Sequence, residues 1–244
     1  MKKRHKFSLD DVESVLQPKT WWASIGVLPV ADRLVLICVN YLKVSPNMIT
    51  GTALLFRGIS GVLFLFADYL HLAVGALFWY MAYCLDCVDG PVARLTNTCS
   101  ESGRYFDHIS DLVGDLFVLF CLAQGRGILF SKFIISMGLM HVFEAYTSYL
   151  AGIVLLCREN NGRPVIFSHG LPALYQKYRN FFFTRNFKSF VSFPDYTFMI
   201  FVVFPLMNKP LAGLETGFYF LVLICVYTCL SSFWAIHSKD ARFP

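Results

Sequence analysis

Long apolar runs recur along this chain and leave it little choice of fold. A run of about 18 or more apolar residues reads as a membrane span, and several lie between residues 48 and 236. Composition agrees. Of 244 residues 56% are hydrophobic, 25 are Phe, and mean hydropathy is +0.55. A soluble domain of this length would not need so much apolar surface. The sequence therefore predicts an all-α integral membrane protein with several passes.

Six transmembrane helices are expected, at about 48–67, 70–93, 104–123, 129–156, 191–207 and 214–236. Residues 20–42 are also apolar, but Pro29 and Asp32-Arg33 interrupt them. Paired Trp21 and Trp22 favour the headgroup level. This segment is read as an N-terminal membrane-surface helix, with a seventh span as the other option. The chain divides into a cytoplasmic and juxtamembrane segment, 1–47, and a six-helix domain, 48–244. The start, MKKRHKFSLDDVESVLQPK, runs into acids and a proline, so no cleavable signal peptide is expected. On the six-span layout, 17 of the 21 Lys and Arg fall on the side of the termini and of loops 94–103 and 157–190. The positive-inside rule makes that side cytoplasmic. Loop 157–190, aromatic and basic, suits a membrane-surface segment, but most of it reads as an ordinary interfacial linker. Most of the eight cysteines lie in or beside apolar runs and read as small buried hydrophobes, with no structural disulfides expected.

The polar exception is DCVDGPVARLTNTCSESGRYFDHISD, residues 86–111. Asp86 and Asp89 are i, i+3, and Asp107 and Asp111 are i, i+4. Each pair shares one helical face. One pair ends the second span and the other opens the third, so a short connection makes the two faces neighbours. Four converging carboxylates repel one another, and a divalent cation is the natural remedy. All-oxygen ligands suit Mg2+, Mn2+ or Ca2+ rather than zinc. Two such ions could serve phosphoryl chemistry. Gly90 and Gly103 allow close approach of a ligand to the backbone. Arg94 offers a planar fork for phosphate. Pro91 is expected to loosen its helix locally.

The stretch resembles the signature of the CDP-alcohol phosphotransferases, D-x2-D-G-x2-A-R-x8-G-x3-D-x3-D, at every fixed position. Pro46, Asn47 and Thr50 resemble the family's Pro-Asn-x2-Thr element. The resemblance implies transfer of a substituted phosphate from a CDP-linked donor to an alcohol hydroxyl, with release of CMP. It implies that Asp86, Asp89 and Asp107, with Asp111 as a further ligand, bind two divalent cations, Mg2+ or Mn2+. Asp111 is the implied general base. Asn47, Thr50, Gly90, Ala93 and Gly103 would line the cytidine end, and Arg94 would anchor the diphosphate. A homodimer in the bilayer is also implied; no nucleic-acid partner is expected.

The donor is read as CDP-diacylglycerol in phospholipid synthesis, in a bacterial-type inner membrane with the site facing the cytoplasm. A small CDP-alcohol donor is the alternative. A phosphorylated acceptor would want extra cations, and Arg158 and Arg104 are candidates, with Arg163, Lys177 and Arg179 behind them. Arg57 either faces the site or snorkels. His141 and Glu144, i and i+3, are expected to pair structurally. A divalent-cation transporter is the reading from another class. It would spread acids through the membrane depth, whereas here they cluster at one mouth.

Overall fold

Polar caps and left-handed residues set where each helix starts and stops. The computed structural model describes residues 6–17, 19–66, 68–160, 170–184 and 192–237. Helix α1 (Leu9–Val15) opens on a capping box between Ser8 and Asp11. Helix α2 (Ala23–Leu42) stops at Lys43, left-handed at φ 54°. Ser45 caps α3 (Pro46–Phe64), whose first residue is a proline, where the missing N–H is one no helix partner would have satisfied. Asp68 caps α4 (Tyr69–Leu95), and Ser100 caps α5 (Glu101–Gly125). Helices α6 (Lys132–Asn160), α7 (Gly170–Phe183), α8 (Phe193–Leu206) and α9 (Pro210–His237) follow. No strand occurs among the described residues.

In lipid a backbone must satisfy its own polar groups, which is why apolar runs of this length are helical. Among the described residues, four helices are long and apolar enough to cross a bilayer: α2, α3, α4 and the Pro210–Phe233 part of α9. Helices α5 and α6, of 25 and 29 residues, have the length but carry acids on their faces. The expected span at 191–207 is a 14-residue helix at most, α8. At 1.5 Å per residue it covers about 21 Å, less than a hydrocarbon core. The expected 157–190 loop is another departure. Helix α6 runs on to Asn160, and α7 occupies Gly170–Phe183.

Helix α3 packs against both α4 and α5, and α6 packs against α9. Small residues let the backbones close up. Ser60 Oγ donates to the Gly75 carbonyl at 2.8 Å. A Cβ on Gly125 would lie 2.1 Å from the Phe64 carbonyl oxygen. Outward faces carry exposed Leu55, Leu77, Leu139 and Leu223, which suits a lipid solvent. Helix α2 is strapped to α4. The Trp22 ring stacks on Phe198 and tilts against Tyr83, with centroids 4.0 and 4.7 Å away. Tyr80 Oη donates to the Gly26 carbonyl at 2.6 Å. The far end of α2 is tied back to the N-terminal segment through two hydrogen bonds between Asn40 and Phe7, each 3.0 Å.

Candidate active site

The whole first half of the aspartate signature lies within α4, which runs on through Pro91 to Leu95. The connection to α5 is only residues 96–100, with Asn97 left-handed at φ 54°. This tight reversal brings the two aspartate faces together. Carboxylate oxygens of Asp86, Asp107 and Asp111 lie within 4.8 Å of one another. Asp89 stands beside this trio and accepts a 2.5 Å hydrogen bond from Thr50 Oγ1 on α3.

Arg57 ties the group from below. Its side chain is 2% exposed and sits 2.8 Å from Asp111 Oδ1, 3.2 Å from Asp115 Oδ1 and 3.7 Å from Asp86 Oδ1. It faces the site and does not snorkel. Gly114 makes room for it, since a Cβ there would lie 2.5 Å from Arg57 Cδ. Asp115 also accepts from Trp79 Nε1 at 2.9 Å. Asp111 is the most open of Arg57's partners, its side chain 40% exposed against 14% for Asp86 and 8% for Asp115. Of the acids around Arg57, Asp111 is therefore the most accessible from the deeper cavity.

Two cavities meet at this cluster. The smaller, about 500 Å3, is lined by Asn47, Thr50, Gly90, Ala93, Arg94 and Gly103. All six residues expected at the nucleotide end are thus brought together. Arg104 lines this cavity too, away from the deeper one. The deeper, about 740 Å3, holds Asp86, Asp111 and Arg57 and extends to His141, Glu144 and Thr228. Asp89, Gly90, Arg94 and Asp107 border both. Arg94 folds back over Gly90, and its Nε donates to the Val15 carbonyl at 2.8 Å. The Arg158 side chain and all of Arg163 lie outside the described residues; Lys177 is exposed on α7. His141 and Glu144 do not pair with each other. Glu144 instead takes hydrogen bonds from Ser148 and Thr228.

The sequence reading passed over three residues. Asp115 continues the i, i+4 series from Asp107 and Asp111, and that spacing could have revealed it. Lys19 and Thr20, ahead of α2, line the deeper cavity, and no local pattern marks them. Burial alone would lower the Lys19 pKa. The neighbouring Cys87 thiol and the Asp86, Asp89 and Asp111 carboxylates outweigh it, so the pKa is raised and the ammonium is held.

The residues present fit a hard divalent cation. Carboxylates outnumber the cations around them, and Asp107 Oδ1 is buried without a hydrogen-bond partner. An oxygen in that state calls for a ligand, and an all-carboxylate set suits Mg2+ or Mn2+.

A family model of CDP-alcohol phosphatidyltransferases matches residues 43–234, including the entire aspartate stretch and both cavities' helices from α3 onward. The chain belongs to this family. As a CDP-alcohol phosphatidyltransferase it is an integral membrane phosphotransferase of phospholipid synthesis. Its fold is similar to that of the Mycobacterium tuberculosis phosphatidylinositol phosphate synthase. The structure of that synthase with CDP-DAG bound has a TM-score of 0.50 and 17% identity, over 90% of this transferase and 98% of the synthase chain. The structure with manganese and citrate gives 0.49 and 16%, over 89% and 92%. No curated protein matches the sequence.

Proposed function

We propose that this transferase moves a substituted phosphate from CDP-diacylglycerol to the hydroxyl of an alcohol and releases CMP, at the cytoplasmic face. The observation that carries this reading is the meeting of the two cavities at Asp89, Gly90, Arg94 and Asp107, beside the carboxylate trio. The cytidine end would occupy the smaller cavity against Asn47, Thr50, Gly90, Ala93 and Gly103. The diphosphate would then lie at the junction, with Arg94 over Gly90 to anchor it. The acceptor would enter the deeper cavity and present its hydroxyl to Asp111.

Asp86, Asp89, Asp107 and Asp111 would hold two divalent ions. Such ions, when bound, offset the charge of the diphosphate and of the departing CMP. The acceptor oxygen attacks the phosphorus distal to the cytidine, and the bond from that phosphorus to CMP breaks. The hydroxyl proton passes to the open carboxylate of Asp111. Arg57 keeps that carboxylate aimed at the cavity. The CDP-diacylglycerol bound by the structurally similar synthase agrees with a lipid-linked donor here.

The same reading takes six spans, α3, α4, α5, α6, α8 and α9, with the short α8 crossing where the bilayer thins locally, α2 along the cytoplasmic surface and the domain break near residue 47. Support comes from the two ends of α2. Trp22 and Gly26 meet Tyr83 and Tyr80, and three residues beyond Leu42 the chain starts α3, whose Thr50 bonds Asp89. Along α4, Tyr80 and Asp89 are about 14 Å apart, whereas α2 is about 30 Å long. The helix therefore crosses α4 steeply, at about 60°, and lies closer to the membrane plane than to its normal. The family resemblance adds a homodimer.

Chelation tests the metal. EDTA is expected to stop CMP release, and Mg2+ or Mn2+ to restore it. Asp107→Asn is expected to raise the ion concentration needed for half-maximal rate by about tenfold, since one charged ligand is worth a few kcal/mol at most in a wet site. Full activity in EDTA would remove the metal from the account.

A further inference from the structure

The deeper cavity carries a second polar cluster that the aspartate chemistry leaves unused. Helix α6 turns one face into it, with His141, Glu144, Ser148 and Gly152 at helical spacing, and α9 adds Thr228 and Ser231. Glu144 is 5% exposed. Its Oε1 accepts from Ser148 Oγ at 2.7 Å and from Thr228 Oγ1 at 3.2 Å. Two hydroxyl donors on one oxygen fix the carboxylate in place and leave Oε2 for another donor. His141, one turn back, is 0% exposed, yet neither Nδ1 nor Nε2 has a hydrogen-bond partner. Its ring is wedged edge-on against Phe193, 4.5 Å between centroids, and faces Tyr196 at 6.0 Å. A buried imidazole with both nitrogens unsatisfied is costly, and it lines a cavity large enough for a ligand to satisfy it.

We propose that His141 and Glu144 form the subsite for the non-reacting end of the acceptor, and that this end is a neutral hydroxyl of a polyol rather than a phosphate. The inference rests on the transferase reading above. A hydroxyl donates to the free oxygen of Glu144 and accepts from the imidazole, so it uses both groups. An ammonium can only donate, so it can reach Glu144 and the unprotonated imidazole nitrogen but gives the ring N–H no acceptor. A phosphate only accepts at neutral pH and meets a fixed carboxylate, which repels it. The described cations of this cavity are committed at the other end. Arg57 is held by three aspartates, Arg94 by the Val15 carbonyl, and Lys19 lines the cavity in the field of the Asp86, Asp89 and Asp111 carboxylates.

The full chain, reconstituted in phospholipid vesicles with CDP-diacylglycerol and Mg2+ or Mn2+, is assayed for CMP release with inositol, glycerol, their monophosphates and serine. The expected result is a kcat/KM for a neutral polyol at least about tenfold above that for its phosphate and for serine. Glu144→Gln, which keeps shape and loses charge, is expected to raise the polyol KM about tenfold and to leave the donor KM within about twofold. It should also narrow the gap between polyol and polyol phosphate, an effect that a purely structural Glu144 would not produce. Thr228→Val, which frees the carboxylate to swing, is expected to raise the polyol KM in the same selective way, and it serves if Glu144→Gln proves unstable. A wild type that prefers a phosphorylated acceptor or serine overturns the proposal while leaving the transferase reading intact. So do variants in which donor and acceptor KM move together or not at all. Wild-type protein that releases no CMP with any acceptor overturns the CDP-diacylglycerol reading, and the subsite with it.

Discussion

Arg57→Leu is expected to destabilise the protein by about 3–5 kcal/mol and to abolish turnover. The magnitude is that of removing one partner from a buried ion pair, which strands the other charge. Here three carboxylates lose their counter-ion at once. Asp115 is the worst placed, because it is buried and has only Trp79 Nε1 left to bond it. Arg57→Lys keeps the charge, but an ammonium is a point charge and cannot span Asp86, Asp111 and Asp115 as the guanidinium fork does. It should fall between the wild type and Arg57→Leu. Thermal unfolding in detergent reads the stability, and CMP release reads the activity. Added Mg2+ should recover part of the lost stability, since the ion would offset the same carboxylates. An Arg57→Leu protein as stable and active as the wild type would show that the ion pairs do not organise the site.

The second large effect is kinetic. Asp111→Asn should lower kcat about a thousandfold, the range of a lost general base, while the donor still binds. The amide is nearly isosteric and keeps an oxygen beside the Arg57 guanidinium, so the fold is preserved. It cannot take the acceptor proton. Calorimetric binding of CDP-diacylglycerol alongside turnover separates the two roles. Donor affinity falling as far as kcat would mean that Asp111 serves as a metal ligand and not as the base.

The aspartates were legible because a helix repeats every 3.6 residues, so i, i+3 and i, i+4 spacing states which side chains share a face. The smaller cavity was legible for a related reason. The six residues expected there come from three stretches, 46–50, 89–94 and 103, whose helices are sequential neighbours. What stayed hidden depends on distant segments. Lys19 lines the cavity on a segment fixed by the Arg94 bond to the Val15 carbonyl on one side and by Trp22 stacked on Phe198 on the other. Thr228 meets Glu144 across 84 residues. His141 and Glu144 have the right spacing to pair, but each side chain has a different environment on the same face. Gly170–Phe183, which forms α7, was read as part of a loop. Its basic and aromatic residues suit an interfacial linker and an amphipathic helix equally well, and composition alone does not separate them.

The most direct test of the central claim is CMP release by the purified full chain, given CDP-diacylglycerol, Mg2+ or Mn2+ and one polar alcohol at a time. The account predicts CMP in step with a new phospholipid, only when ion and acceptor are both present. Protein that binds CDP-diacylglycerol but yields no CMP with any acceptor would contradict the proposed donor chemistry, and protein that binds no CDP-linked ligand at all would contradict the transferase site.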